Sequence, residues 1–93
     1  MQNNLIIVYQ LMFYGAYKQN KDLIKDGTIY DYGVFSEKEY AINRMNSNEE
    51  KRPIYNEKDE LYEVYDRDYI FQGYYVINKC VVDDISVFNI IVE

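Results

Sequence analysis

At Phe35–Ser36 the period of the sequence changes, and this switch constrains the fold more than any other feature. IYDYGVF, residues 29 to 35, has the β-branched and aromatic content of a strand, and SEKEY follows it directly. Ser36 stands three residues before Glu39, the capping-box spacing, with Phe35 and Tyr40 at the two staple positions. A helix is therefore expected to start at Ser36. Ala41, Ile42 and Met45 fall on one face with the stem of Lys38, giving a stripe that can lie on a sheet. NSNEEKRP should end the helix near residue 46 and form a loop up to Pro53.

The flanking segments supply strands. LIIVYQLMFY, residues 5 to 14, is apolar and ends at Gly15, whereas residues 15 to 28 are polar with a glycine near each end. They read as a strand and a loop, and with residues 29 to 35 they suggest an antiparallel hairpin. YIFQGYYVINKCVV, residues 69 to 82, reads as a long strand with Gly73 as a bulge or bend. Asp83 and Asp84 should turn the chain into a last strand, residues 86 to 92. FNIIV within it is apolar enough to need an interior place, or an edge covered by a second copy in a homodimer. The expectation is one α+β domain, residues 1 to 93: a small antiparallel sheet of about four strands with one main helix on one face (ββαββ). Leu, Ile, Val and Phe number 27 of 93 residues, enough for a single core.

Function classes are limited by what is missing. Histidine is absent, and with it the commonest general base, the Ser-His and Cys-His nucleophile pairs and most zinc or iron sites. Pairs such as Asp66 and Asp68, or Asp83 and Asp84, are read as solvated turn acids, not Mg²⁺ ligands. Four scattered glycines form no phosphate-binding loop, and Cys80, the only cysteine, reads as a buried structural thiol. No enzyme activity, cofactor or metal is expected. The N-terminus carries no signal-peptide pattern and no apolar run is long enough to span a bilayer, so a cytoplasmic protein with no membrane partner is expected.

Charge is the informative remainder. Residues 1 to 52 hold seven acids and seven bases, so the net charge of −6 lies entirely in residues 53 to 93. EKDELYEVYDRDY, residues 57 to 69, concentrates it, with six acids against two bases. Locally, helical spacing of Leu61, Val64 and Tyr65 and a start at Asn56 favour a short helix or irregular segment. So many carboxylates cannot be buried without matching bases, so an exposed face is expected, with Tyr62 or Tyr65 at its centre. The candidate partner-binding residues are Glu57, Asp59, Glu60, Tyr62, Glu63, Tyr65, Asp66, Asp68 and Tyr69. Carboxylates repel phosphate backbones, which argues against direct binding of nucleic acid and favours a basic protein such as a nuclease. Tyrosine on a polar surface is the side chain that anchors interfaces.

YGVFSEKEYA, followed later by YYVINKCVVDD, resembles a group of small phage and bacterial α+β proteins. In these a G-V-F-S-type turn joins strand to helix and a later strand closes on an acidic turn. About 30 residues carry the resemblance, and residues 47 to 68 have no counterpart in it. It implies a mobile-element inhibitor of a host defence protein, in the style of anti-CRISPR proteins. An immunity or antitoxin-like protein that neutralises a basic toxin, and a phage accessory protein that self-assembles through its tyrosines, are the alternatives.

Overall fold

A computed structural model describes residues 5 to 48 and 52 to 82, and the backbone of residues 90 and 91. The elements are β1 (Ile6–Gln19), β2 (Asp22–Phe35), α1 (Lys38–Asn46), β3 (Arg52–Asn56), β4 (Leu61–Tyr65), β5 (Phe71–Val82) and the two-residue β6 (Ile90–Ile91). Five strands form an antiparallel sheet in the order β3-β4-β5-β1-β2, one more than expected. β6 adds to the free edge of β2 in parallel, pairing Val34 with Ile90 and Phe35 with Ile91. The fold is mostly β, with one short helix. Among the described residues no helix is long and apolar enough to cross a membrane.

The expected loop over residues 15 to 28 is instead the far half of a long hairpin. β1 and β2 continue to Gln19 and Asp22 and are joined by Asn20 and Lys21 alone, both at positive φ (51° and 71°). That is the two-residue primed turn, whose twist matches the strands. Gly15 and Gly27 mark a bulge within the hairpin, because residues 26 to 28 of β2 stand opposite the single residue Gly15. Carboxylates replace the lost ladder bonds at the two irregular places on β2. Asp26 accepts from the Thr28 amide (2.8 Å) and Asp31 from the Gly33 amide (2.9 Å). The acidic insert, expected to be helical or irregular, is a second hairpin, β3–β4.

Helix α1 begins one residue later than the capping box places it. The residue at the cap position is Glu37, in extended conformation (φ −135°, ψ 146°) and with no side-chain cap hydrogen bond. Phe35 is fully buried and paired in the ladder, so β2 runs up to Ser36 and the chain needs one more residue to turn. At the other end Ser47 closes the helix as expected, its Oγ donating to the Arg44 carbonyl (2.6 Å). Ala41 and Met45 are buried, and Ile42 packs beside them.

The core lies between α1 and one face of the sheet: Leu11, Phe13, Phe35, Ala41, Met45, Val64 and Tyr75, ringed by Tyr9, Tyr32, Tyr40, Ile42, Tyr62 and Ile77. Tyrosine thus supplies much of the core rim. Tyr75 meets Phe13 edge-on at 5.1 Å and Tyr32 at 5.7 Å, and burial pushes its phenol up to about 12. Strand alternation sends Tyr14, Tyr74, Glu63 and Tyr65 to the opposite face, where Tyr14 stacks on Tyr74 at 5.4 Å. Cys80 is half-buried rather than enclosed, with its Sγ 3.7 Å from the Asn78 carbonyl. β5 starts at Phe71, so Tyr69 and Ile70 belong to the preceding loop. Of the expected last strand only residues 90 and 91 are described, at the sheet edge; the Asp83–Asp84 turn lies outside the described residues.

Gly73 holds the centre of this arrangement. It sits opposite Gly15 across the β1–β5 ladder at φ 147°, and a Cβ there would strike the carbonyl oxygen of Tyr14 and crowd the Phe13 ring at 2.8 Å. The register of β4 on β5 also shifts here, from Val64↔Gly73 to Tyr65↔Phe71, which leaves Gln72 as the extra residue of a bulge.

Candidate partner-binding site

The nine candidate residues lie along the β3–β4 side of the molecule, but not as one continuous face. A helix would have gathered Tyr62, Tyr65 and Tyr69 on one side, whereas a strand sends residues 62 and 65 to opposite faces. Tyr62 turns to the helix side. Its ring lies 4.9 Å from that of Tyr55, and partial burial, with the Tyr55 hydroxyl nearby, raises its pKa. Tyr65 turns to the other face and meets Phe71 edge-on at 5.5 Å. Neither occupies the centre expected for it.

Glu63 is also taken up by the fold. Lys18, near the tip of the long hairpin, reaches its carboxylate at 3.0 Å and the Tyr65 hydroxyl at 3.1 Å, and that hydroxyl donates to the other Glu63 oxygen at 3.0 Å. The ammonium group lies 4.7 Å from the Phe71 ring centre. The hydrogen bond to Tyr65 raises the Lys18 pKa, with help from Glu63 and against partial burial. Burial works against ionisation of Glu63, but the bonds from Lys18 and Tyr65 and the Lys18 charge outweigh it and lower its pKa. This group ties the β1–β2 hairpin to β4. Lys18 was missed because residues 15 to 28 read as a loop, although Tyr14, Ala16 and Lys18 alternate with their neighbours.

The remaining acids cluster at the two ends of β4. Glu57, Asp59 and Glu60 occupy the β3–β4 turn and are exposed. Asn56 fixes that turn, accepting from the Asp59 amide at 3.2 Å and donating to its carboxylate at 3.2 Å, and Glu60 sits at φ 53°. The Asn56 signal was a real start signal, but of a hairpin turn. At the other end Asp66 organises the β4–β5 loop: its Oδ1 accepts from the amides of Asp68 (2.8 Å) and Ile70 (2.9 Å), and its Oδ2 from Gln72 (3.1 Å). Asp68 is exposed. From Glu60 to Asp66 is about 20 Å at the usual strand rise, well within the width of one protein interface.

The loop that Asp66 ties holds the most conspicuous side chain of the set. Tyr69 has φ 62° and is 77% exposed, and Ile70 beside it is 58% exposed. Positive φ is an outlier for a residue this bulky, tolerated only where the surroundings impose it. Here two backbone bonds, Tyr69 to Asp66 and Asp66 to Ile70, each 3.0 Å, add to the three carboxylate bonds. The pairing of a strained tyrosine backbone with an unpacked ring is not explained by packing.

No family model matches the chain, and neither the curated proteins nor the solved structures contain a match to it.

Proposed function

We propose that the chain is a non-enzymatic acidic binding protein that blocks the basic surface of a nucleic-acid-binding protein, in the manner of a phage or mobile-element inhibitor. The observation that carries this reading is the Tyr69–Ile70 pair, exposed directly after Asp68 in a loop that Asp66 ties together. An exposed aromatic on a backbone that is already tied in place costs little backbone entropy to bind, which suits an interface anchor. The acids at both ends of β4 and the net charge of residues 57 to 69 support a basic partner, through steering and through relief of their mutual repulsion. Tyr69, not Tyr62 or Tyr65, is the anchor in this reading.

The test is capture of partners from bacterial lysate at low salt, followed by competition. Proteins held by this surface should be displaced by duplex DNA and by about 0.5 M salt, and should be lost with Tyr69→Ala. Captured protein that resists both DNA and salt would favour self-assembly or a non-mimic interface instead.

A further inference from the structure

The two edges of the sheet are finished differently. β6 covers Val34 and Phe35 of β2, and the rest of that edge is broken by two bulges, where Asp26 and Asp31 accept from the amides of Thr28 and Gly33. Bulges and charges set into an edge are the devices that keep it from pairing with another chain. β3, at the opposite edge, has no bulge: its register on β4 runs from Arg52↔Tyr65 to Asn56↔Leu61 without a shift, and Ile54 and Tyr55 are 56% and 52% exposed. Its single restriction is Pro53. A proline has no amide to give, so in an edge strand its nitrogen faces outward, away from the neighbouring strand. Alternation then turns the amide and carbonyl of Tyr55 outward as well, and those of Arg52, Ile54 and Asn56 toward β4. The bare edge therefore presents one donor, the Tyr55 amide, and two acceptors, the carbonyls of Pro53 and Tyr55.

We infer that this edge pairs with the same edge of a second copy of the chain, antiparallel about a two-fold axis at Ile54. In that register each Tyr55 amide donates to the Pro53 carbonyl of the other copy, so every outward donor is used and neither proline is asked for a bond. Ile54 meets Ile54 of the second copy as a non-hydrogen-bonded pair, the kind in which side chains approach most closely. Arg52 is exposed and forms no ion pair among the described residues. The axis sets it opposite Asn56 of the second copy, whose amide group holds the Asp59 carboxylate at 3.2 Å, so each guanidinium gains an acid across the interface. Other registers lose this match. An axis at Pro53 sets the two prolines against each other, and an axis at Tyr55 sets Arg52 against Lys58. The pairing joins the two antiparallel sheets edge to edge, and it does not depend on the basic partner proposed above.

β3 brings 5 residues to the pairing, far below the roughly 20–30 a side of a standard interface, so the dimer is weak, with a Kd on the order of 0.1 mM. Sedimentation equilibrium of the full chain, from about 10 µM to about 1 mM, should show monomer passing into dimer. Cross-linking then tests the register. In a Cys80→Ser background, Ile54→Cys should form a symmetric disulfide under oxidised glutathione, because the Cα atoms of such a pair lie about 4.5 Å apart, within disulfide range. Arg52→Cys should not, since its two copies stand about 13 Å apart along the strands. Ile54→Lys, which puts two ammonium groups on the axis, should raise the Kd at least about tenfold, whereas Ile29→Lys, at a similarly exposed isoleucine of β2, should leave it unchanged. A chain that stays monomeric at about 1 mM, equal cross-linking through residues 52 and 54, or equal loss of dimer with Ile29→Lys would overturn the assignment.

Discussion

The two hairpins of this sheet are built from similar residues and do opposite things. β1–β2 is long, closes with two residues, and has its charges drawn into the fold: Asp26 and Asp31 accept from its own amides, and Lys18 reaches across to Glu63 of β4. β3–β4 is five residues a side, closes with a four-residue acidic turn, and leaves Glu57, Asp59 and Glu60 in solvent. Adjacent charge in a sequence therefore does not identify a recognition surface. What matters is whether the fold has already engaged the carboxylates: in the 57–69 segment backbone amides hold Asp66, Lys18 and Tyr65 hold Glu63, and Asp59 takes a single bond from Asn56, whereas Glu57, Glu60 and Asp68 stand exposed.

The comparison can be tested first at the hinge between the two hairpins. Gly73→Ala, which forces a Cβ into the Tyr14 carbonyl, should destabilise by about 3 kcal/mol or more in urea unfolding. A loss under about 1 kcal/mol would mean that the β1–β5 ladder yields easily and that the long hairpin is not the rigid partner. Asp66→Ala removes three bonds to a carboxylate and should cost about 2 kcal/mol, whereas Asp68→Ala, one turn of the same loop away, should be neutral. Equal effects would erase the distinction between claimed and free acids.

Tyr69→Gly should go the other way. Relief of the left-handed backbone should raise stability by about 1 kcal/mol while partner binding is lost, a stability–function opposition that a packing role does not produce. The Lys18–Glu63 tie is smaller still. Glu63 has a lowered pKa, so its contribution is present above the ordinary 4.5 and fades as pH falls through the folded value; that of Lys18, raised from 10.5, fades as pH rises through its own. Glu63→Gln should cost under about 1 kcal/mol, flatten the acid limb of the stability profile and weaken the Lys18 part of the alkaline limb, while the part due to the buried Tyr75 phenol stays in place. Smallest of all, Ser36→Ala should change stability by less than about 0.3 kcal/mol, because Ser36 does not cap α1; a loss near 1 kcal/mol would restore the capping box.

Most elements could be read from the residues, and the errors share a cause. The helix, its C-terminal end, the strand before it and the bulge at Gly73 followed from composition and spacing. Gly15 and Gly27 look like the ends of a loop but mark a bulge inside a ladder, because local sequence does not say which strand lies opposite. The acidic segment failed at its period: Leu61, Val64 and Tyr65 fit a helix, but pairing with β5 decides the matter, and β5 is not local. That one change of period split the tyrosines between two faces. It also leaves Tyr69 as the exposed aromatic, at a φ that no pattern announces.

The central pairing of β1 with β5 has a kinetic consequence. β1 and β2 can zip from Asn20–Lys21 on a scale of about microseconds, since each new pair is adjacent to the last. β5 reaches β1 only after β2, α1, β3 and β4 have been synthesised and looped out, and closing that loop costs entropy before any contact offsets it. Substitutions in the Asn20–Lys21 turn are thus expected to slow refolding, and those in β3–β4 chiefly to speed unfolding. In stopped-flow chevrons the two hairpins should appear on different limbs, so that the surface proposed for recognition can change freely without altering how fast the protein is made.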